Sequence, residues 1–101
     1  RAPGGRARAG LPAATARRPV AIFEVFNDSL KELYLGITTL PLSQLAAEHK
    51  KQAPAAIAHW RGEQRISYSC LAESIPAVDA PVFIASYARN MSGYRVIAED
   101  G

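Results

Sequence analysis

Hydrophobic and β-branched residues are concentrated in two short runs near the start of the regular part of the chain. The first run covers residues 20–26 and is followed by the turn-forming sequence Asn27-Asp28-Ser29. The second run covers residues 32–37, which read Glu-Leu-Tyr-Leu-Gly-Ile. Because only a short loop of about four to six residues separates the two runs, the pattern predicts an antiparallel β-hairpin.

After the hairpin, the hydrophobic pattern changes to the spacing of a helix. Thr38 and Thr39 are candidate N-caps, and Pro41 suits a first helical turn. Apolar positions then recur at intervals of three and four residues over residues 42–49, which predicts the first helix. A shorter second helix is predicted over residues 55–61.

The second half of the chain predicts one more strand, one more helix and a short final strand. Residues 65–71 alternate between the two faces of a strand. Residues 78–89 predict a helix whose apolar face includes Val78 and Val82. Residues 94–98 predict either a last short strand or an extended edge.

The order of these elements predicts a single α+β domain over residues 19–101. Its small three-stranded, mostly antiparallel sheet begins with the β-hairpin and is flanked by helices. The chain length of 101 residues and the hydrophobic content of 49% suit one domain with one modest core. No apolar run approaches the roughly 20 residues of a membrane helix, so no membrane partner is predicted.

Positive charge is concentrated at the start of the chain. Residues 1–18 hold five of the 12 Lys and Arg residues and none of the nine acids, so the net charge of +3 becomes −2 for residues 19–101. The Pro, Gly, Ala and Arg composition of residues 1–18 predicts a disordered tail. Such a tail either collects phosphates through counterion release or is a solubilising leftover, and both interpretations stay open.

The single cysteine, Cys70, excludes an internal disulfide. One thiol suits a reducing compartment, and the first segment lacks the apolar region of a secretory signal, so a cytoplasmic location is predicted. Cys70 alternates with Ile66 and Tyr68 along the predicted strand. This position predicts a buried and unreactive thiol.

Several groups of residues recur in the order and spacing of one known family. The triplet at residues 21–23 (Ala-Ile-Phe) is followed, after ten residues, by the triplet at residues 34–36 (Tyr-Leu-Gly), and the next helix carries His49. The third-strand run covers residues 66–75. Two further pairs match later positions: Phe83-Ile84 and Gly93-Tyr94. Over residues 19–98, the chain resembles the GIY-YIG endonuclease domain.

This resemblance implies a scaffold for phosphodiester hydrolysis, which in the family uses tyrosine, arginine, a metal-binding glutamate and asparagine. Matched position by position, only the second tyrosine is retained, as Tyr34. The other family positions fall on Phe23, Leu45, Ala80 and Arg95. Because the metal carboxylate and the catalytic guanidinium are both replaced, the resemblance implies a nuclease scaffold without hydrolysis. No cofactor is expected, apart from a divalent metal if a rearranged site is active.

The candidate site combines residual family positions with basic and aromatic side chains. Tyr34 and His49 are residual catalytic candidates, and Phe23 and Gly36 are structural positions of the motif. Trp60 is placed either to stack on a base or to pack in the core. Five cations are candidate contacts to nucleic acid: Arg17, Arg18, Lys50, Lys51 and Arg61.

Three functions are consistent with this sequence. The first is a degenerate GIY-YIG domain that binds nucleic acid, and the second is a protein-interaction, self-associating or structural module. The third is an active metal-dependent endonuclease with a rearranged site built from Tyr34, His49, His59 and Glu73. Two histidines alone make a poor metal site, which argues against metal binding there.

Overall fold

The computed structural model describes residues 17–98, which form a four-stranded mixed sheet with a helix on each face. In spatial order, the strands are β3 (Ile66–Pro76), β1 (Pro19–Asn27), β2 (Glu32–Thr38) and β4 (Arg95–Ala98). The helices are α1 (Leu42–Lys51) and α2 (Ala80–Asn90). The predicted α+β class is confirmed. The predicted disorder of residues 1–18 falls almost entirely outside the described residues.

The predicted hairpin is confirmed, and it forms the centre of the sheet. β1 and β2 pair antiparallel, with Phe23 opposite Gly36 and Asn27 opposite Glu32. The turn is closed by a side chain, because Asn27 Oδ1 accepts a hydrogen bond from the backbone N–H of Leu30 at 3.0 Å. Local turn chemistry and strand propensity therefore agree on the same structure.

The sheet has four strands, where the sequence predicted three. β4 pairs in parallel with β2, with Glu32 opposite Arg95 and Leu33 opposite Val96. The backbone N–H of Arg95 also donates to the carbonyl of Lys31 at 2.8 Å. A strand of four residues has too little alternation to indicate its neighbour, so the pattern could locate β4 but not its parallel pairing.

β3 pairs antiparallel with the other side of β1 and is longer than predicted. Regular pairing extends from Ile66 opposite Asn27 to Cys70 opposite Phe23, and the register then shifts. In the irregular part, Ser74 has a φ of 54°, in the left-handed region. This bulge allows the strand to continue to Pro76 although the alternation has ended.

A closed apolar cluster fills the face of the sheet beneath α2. Ile22, Leu33 and Leu35 are fully buried there, against Ala80 and Ile84 of the helix. These side chains point to the same side because alternate residues of paired strands share one face. We call this the α2 face.

The prediction of which side of α2 is buried was wrong. Val82 is 72% exposed and Val78 is 56% exposed, whereas Ala80 and Ile84 are buried. Apolar residues occur on more than one side of α2, so their spacing alone allowed more than one buried face. The observed rotation brings the hydroxyl of Tyr87 on α2 to a buried carboxylate of β1.

The opposite side of the sheet, the α1 face, is covered by α1 and by a 3₁₀ turn at Ala55–Ile57. This turn replaces the helix predicted over residues 55–61, because Pro54 and Gly62 leave too few residues between them for a stable helix. Five residues form the buried cluster on this face: Phe23, Val25, Tyr34, Leu45 and Ile57.

Candidate functional site

An open cleft lies on the α1 face, between the end of α1, the loop that follows and the start of β3. Its volume is about 550 Å³, which is within the range of small-ligand sites. We call it the aromatic–basic cleft, after the side chains that define it: His49, Lys50, Trp60, Arg61, Gln64 and Tyr68. Four of these residues were site candidates from the sequence: His49, Lys50, Trp60 and Arg61.

His49 and Tyr68 connect the two walls of the cleft. His49 Nδ1 and the Tyr68 hydroxyl are 2.8 Å apart, and their ring centroids are 5.6 Å apart. Burial raises the pKa of Tyr68, so its phenol keeps its proton at neutral pH and can donate to an unprotonated Nδ1. Because His49 comes from α1 and Tyr68 from β3, this pair joins the helix to the sheet.

Tyr34 lies beneath the cleft in the buried cluster. Its side chain is 1% exposed, and its ring centroid is 5.7 Å from that of Phe23 and 6.3 Å from that of His49. The structure therefore brings Tyr34 and His49 together. Its burial gives Tyr34 a packing role beneath the cleft.

A carboxylate of the hairpin holds Trp60 in position at the cleft. Trp60 Nε1–H donates to Glu32 Oε1 at 2.7 Å, and His59 Nε2 lies 2.6 Å from the same oxygen. Arg95 Nε donates to the other oxygen at 3.3 Å. The hydrogen bond from Trp60, with contributions from His59 and Arg95, lowers the pKa of Glu32. The carboxylate is therefore ionised at neutral pH, and it fixes the indole through a charge-assisted hydrogen bond.

The four residues of a rearranged nuclease site do not come together. Tyr34 and His49 are neighbours, but His59 is paired with Glu32. Glu73 lines a separate groove of about 500 Å³. Among residues 17–98, no three His, Cys, Asp or Glu side chains are grouped closely enough to hold a metal ion.

Two of the five predicted cationic contacts line the cleft. Lys50 and Arg61 are both exposed at its rim. Arg61 Nε lies 2.8 Å from Glu63 Oε2 in an exposed ion pair, and such pairs are weak enough to exchange for a phosphate. Lys51 is exposed beside Lys50 on α1 but does not line the cleft.

Arg17 and Arg18 lie at the other end of β1. They immediately precede Pro19, whereas the cleft borders Ile66, which pairs with Asn27 at the far end of the strand. At the usual rise per residue, β1 separates the two places by roughly 25–30 Å. These two arginines therefore do not extend the rim of the cleft.

The positions that the GIY-YIG resemblance matches to lost catalytic residues also separate in the fold. Phe23 and Leu45 are buried in the same cluster as Tyr34. Ala80, which the resemblance matches to the metal-binding glutamate, is buried on the α2 face, across the sheet from that cluster. A carboxylate at position 80 would therefore lie on the opposite side of the sheet from the cleft. Arg95 contacts Glu32 and not a site for phosphate hydrolysis.

Cys70 is exposed, which corrects the predicted buried thiol. α1 packs against Ile66 and Tyr68, but Cys70 lies further along the same face and borders the groove that also contains Glu73. The alternation of β3 identified the face correctly and could not show where the covering helix ends. Gly36 is buried and lies opposite Phe23 in the hairpin.

Three residues of the site were not found from the sequence: Glu32, Gln64 and Tyr68. Gln64 Oε1 accepts from Asn27 Nδ2 at 2.9 Å and from the backbone N–H of Arg61 at 2.8 Å. The buried amide of Asn27 therefore fixes the loop that presents Arg61. An acid in an apolar strand and an amide at a strand end were the available signals, but neither indicates a partner 28 or 37 residues away.

Comparison with known proteins gave no relative. No protein-family model matches the sequence, and no curated protein or solved structure matches the chain. The GIY-YIG resemblance therefore depends on the motif residues and their spacing. Within residues 17–98, neither helix has the length and apolar character that crossing a membrane requires.

Proposed function

We propose that this chain is a catalytically degenerate nuclease-like domain of the GIY-YIG type, which binds nucleic acid through the aromatic–basic cleft. The observation that carries the proposal is the placement of Trp60. Glu32 fixes its indole at an open cleft whose rim presents Lys50 and Arg61. An oriented aromatic ring beside mobile cations is the combination that binds a base and its phosphates.

The cleft favours single-stranded over double-stranded nucleic acid. Stacking on Trp60 requires a base whose π-face is free, and in a duplex that face is covered by neighbouring base pairs. Lys50 and Arg61 would neutralise the flanking phosphates. Because the net charge of residues 19–101 is −2, attraction depends on these local cations, and binding should weaken steeply as salt is added.

The same arrangement supports binding without hydrolysis. The family positions for the arginine and the metal-binding glutamate hold Leu45 and Ala80, both of which are buried. Of the two residual candidates, Tyr34 is buried and His49 is engaged with Tyr68. Neither of the two family positions that would stabilise the charge on a phosphate during cleavage therefore holds a charged side chain.

The test is a fluorescence anisotropy titration of labelled single-stranded oligonucleotides at several salt concentrations. We expect the double variant Lys50→Ala/Arg61→Ala to bind roughly tenfold more weakly and to show a smaller salt dependence. Arg89→Ala is the matched control, because Arg89 is an exposed cation in the last turn of α2, across the sheet from the cleft.

If the double variant and Arg89→Ala lose the same amount of binding affinity, the binding site is not at the cleft. The same titration on a chain without residues 1–16 measures how much the arginine-rich tail contributes to the binding affinity. The proposal expects weaker binding without the tail and retention of the Lys50/Arg61 effect. Binding that is indifferent both to salt and to removal of the tail would count against a nucleic-acid function.

A protein-interaction module without nucleic acid is the second candidate function. The observation in its favour is the exposed apolar surface on and just before α2, where Val78, Val82 and Phe83 are 56%, 72% and 38% exposed. Contiguous apolar side chains on a surface are typical of interaction sites. This function is favoured if oligonucleotides fail to bind at low salt while Val82→Lys changes the association state measured by light scattering.

A further inference from the structure

The two edges of the sheet differ in how they are protected from pairing with another strand. β4 forms one edge and has only four residues, the first of which is the exposed cation Arg95. β3 forms the other edge and has 11 residues. Short strands and charged side chains are the usual protection of an edge, and β4 has both.

The first half of β3 lacks these protections. Residues 66–72 read Ile-Ser-Tyr-Ser-Cys-Leu-Ala and contain no charge and no proline. The acid Glu73, the left-handed Ser74 and the terminal Pro76 all lie in the second half, beyond the point where the register with β1 shifts. Among residues 17–98, no strand pairs with the outer edge of β3. Within the regularly paired part, residues 66–70, every second residue therefore turns its backbone N–H and C=O outwards.

We propose that the outer edge of β3 at residues 66–72 pairs antiparallel with the same segment of a second copy of this chain. The pairing would join two four-stranded sheets into one continuous sheet, in a two-fold symmetric dimer.

A second copy is the partner that fits this edge best, because the segment is complementary to itself. A two-fold axis perpendicular to the sheet pairs side chains that lie on the same face, so Ser67 and Ser69 meet serines of the copy. This pairing centres the axis on Tyr68, so on the other face Tyr68 meets Tyr68 of the copy, and Ile66 meets Cys70 of the copy. A charged strand would meet its own charge in such a pair, but residues 66–72 carry none.

The dimer contact includes Ile66 and Tyr68, which also line the aromatic–basic cleft. The new hydrogen bonds lie in the plane of the sheet, whereas the cleft lies on one of its faces. The inference does not rest on the proposed function, and its test measures association without nucleic acid, so the two can fail separately.

The primary test is sedimentation equilibrium of the full chain, from micromolar to millimolar concentration. We expect a reversible monomer–dimer equilibrium. We expect Ser67→Lys to weaken dimerisation at least tenfold, because the lysines of the two copies approach each other at the edge. Ser92→Lys is the matched control, since Ser92 is an exposed serine in the loop after α2, and it should leave the equilibrium unchanged. Circular dichroism establishes that both variants remain folded.

Amide hydrogen exchange on the unmodified chain locates the contact without any substitution. The proposal expects amides in residues 66–72 to become more protected as concentration rises. A chain that remains monomeric at millimolar concentration overturns the proposal, and so does a dimer that Ser67→Lys does not weaken. A dimer whose added protection lies only at residues 78–83 also overturns it, because it would place the contact on the apolar surface of α2.

Discussion

Each face of the sheet holds one carboxylate of the hairpin, and the hydrogen-bond partners of the two carboxylates differ. On the α2 face, Glu24 is 8% exposed and accepts hydrogen bonds from the hydroxyls of Ser69 and Tyr87, both at 2.9 Å. On the α1 face, Glu32 accepts a hydrogen bond from Trp60 and also contacts the exposed side chains of His59 and Arg95. The first carboxylate is held by two hydroxyl groups, and the second is held by an indole at the edge of a cleft.

This difference separates a stabilising face from a binding face. The α2 face combines Glu24 with buried aliphatic side chains. The α1 face combines Glu32 with aromatic rings and a cleft of about 550 Å³. Buried polar groups that are fully satisfied make a core specific, whereas an oriented ring at an opening can meet a ligand. Substitutions on the two faces should therefore have separable effects on stability and binding.

The largest effect is expected in the α2-face core. Leu35 is fully buried, so Leu35→Ala should lower the free energy of unfolding by about 2–5 kcal/mol through lost burial and a residual cavity. Leu40→Ala is the control, because Leu40 is 37% exposed and should cost less than about 1 kcal/mol. Urea denaturation followed by circular dichroism measures both. Equal losses at the two positions would show that the α2 face is not the stabilising core.

A smaller loss is expected when the enclosed carboxylate is removed. Glu24→Ala leaves the hydroxyls of Ser69 and Tyr87 without their acceptor, which should cost about 1–3 kcal/mol of unfolding free energy. While the variant is folded, its affinity for oligonucleotides should match that of the unmodified chain. If the variant binds oligonucleotides more weakly under conditions where it is fully folded, the two faces do not have separate roles.

Removing the charge of Glu32 should affect binding more than stability. Glu32→Gln weakens the hydrogen bond that fixes Trp60, so we expect a loss of about 1 kcal/mol in stability and a several-fold weaker affinity for oligonucleotides. Anisotropy titrations measure the affinity, under conditions in which the variant and the unmodified chain are folded to the same extent. Unchanged affinity would show that the orientation of Trp60 does not matter for binding.

The stability difference between Glu32 and Glu32→Gln should depend on pH. Because the folded protein lowers the pKa of Glu32, the carboxylate stabilises the fold fully above its unfolded pKa of about 4.3. This advantage is lost as pH falls through the lower, folded-state pKa. Urea denaturation between neutral and strongly acidic pH should therefore show the two proteins converging in acid. A difference that grows as pH falls would contradict the assignment.

No effect at all is expected in a cleavage assay. Plasmid nicking with magnesium or manganese should not exceed that of His49→Ala, because the described residues offer neither the family's metal carboxylate nor its arginine in the cleft. Nicking by the unmodified chain that His49→Ala abolishes would show that a rearranged site is active.

The hairpin was predictable because its information is local. Residues 27–29 close the turn, and the strands on each side read as β-formers without reference to the rest of the chain. The cleft was not predictable in the same way, because Glu32 and Trp60 are 28 residues apart and Asn27 and Gln64 are 37 apart. Sequence spacing identified His49, Lys50 and Arg61 as candidates, but not that the fold places them around Trp60.

The errors have the same origin. The buried side of α2 depends on contacts such as that between Glu24 and Tyr87, which are 63 residues apart. The exposure of Cys70 depends on where α1 ends above β3, and the fourth strand depends on a parallel pairing that its four residues cannot specify. Each error concerns how elements pack together, while their identity along the chain was largely correct.

The most direct measurement is the intrinsic fluorescence of Trp60, the only tryptophan in the chain. A single-stranded oligonucleotide should quench this fluorescence in a saturable titration, because a base stacks on the indole. Lys50→Ala/Arg61→Ala should shift the midpoint to higher concentration, whereas Arg89→Ala should not. Oligonucleotide binding detected by anisotropy without any change in Trp60 fluorescence would contradict the claim that the cleft is the binding site.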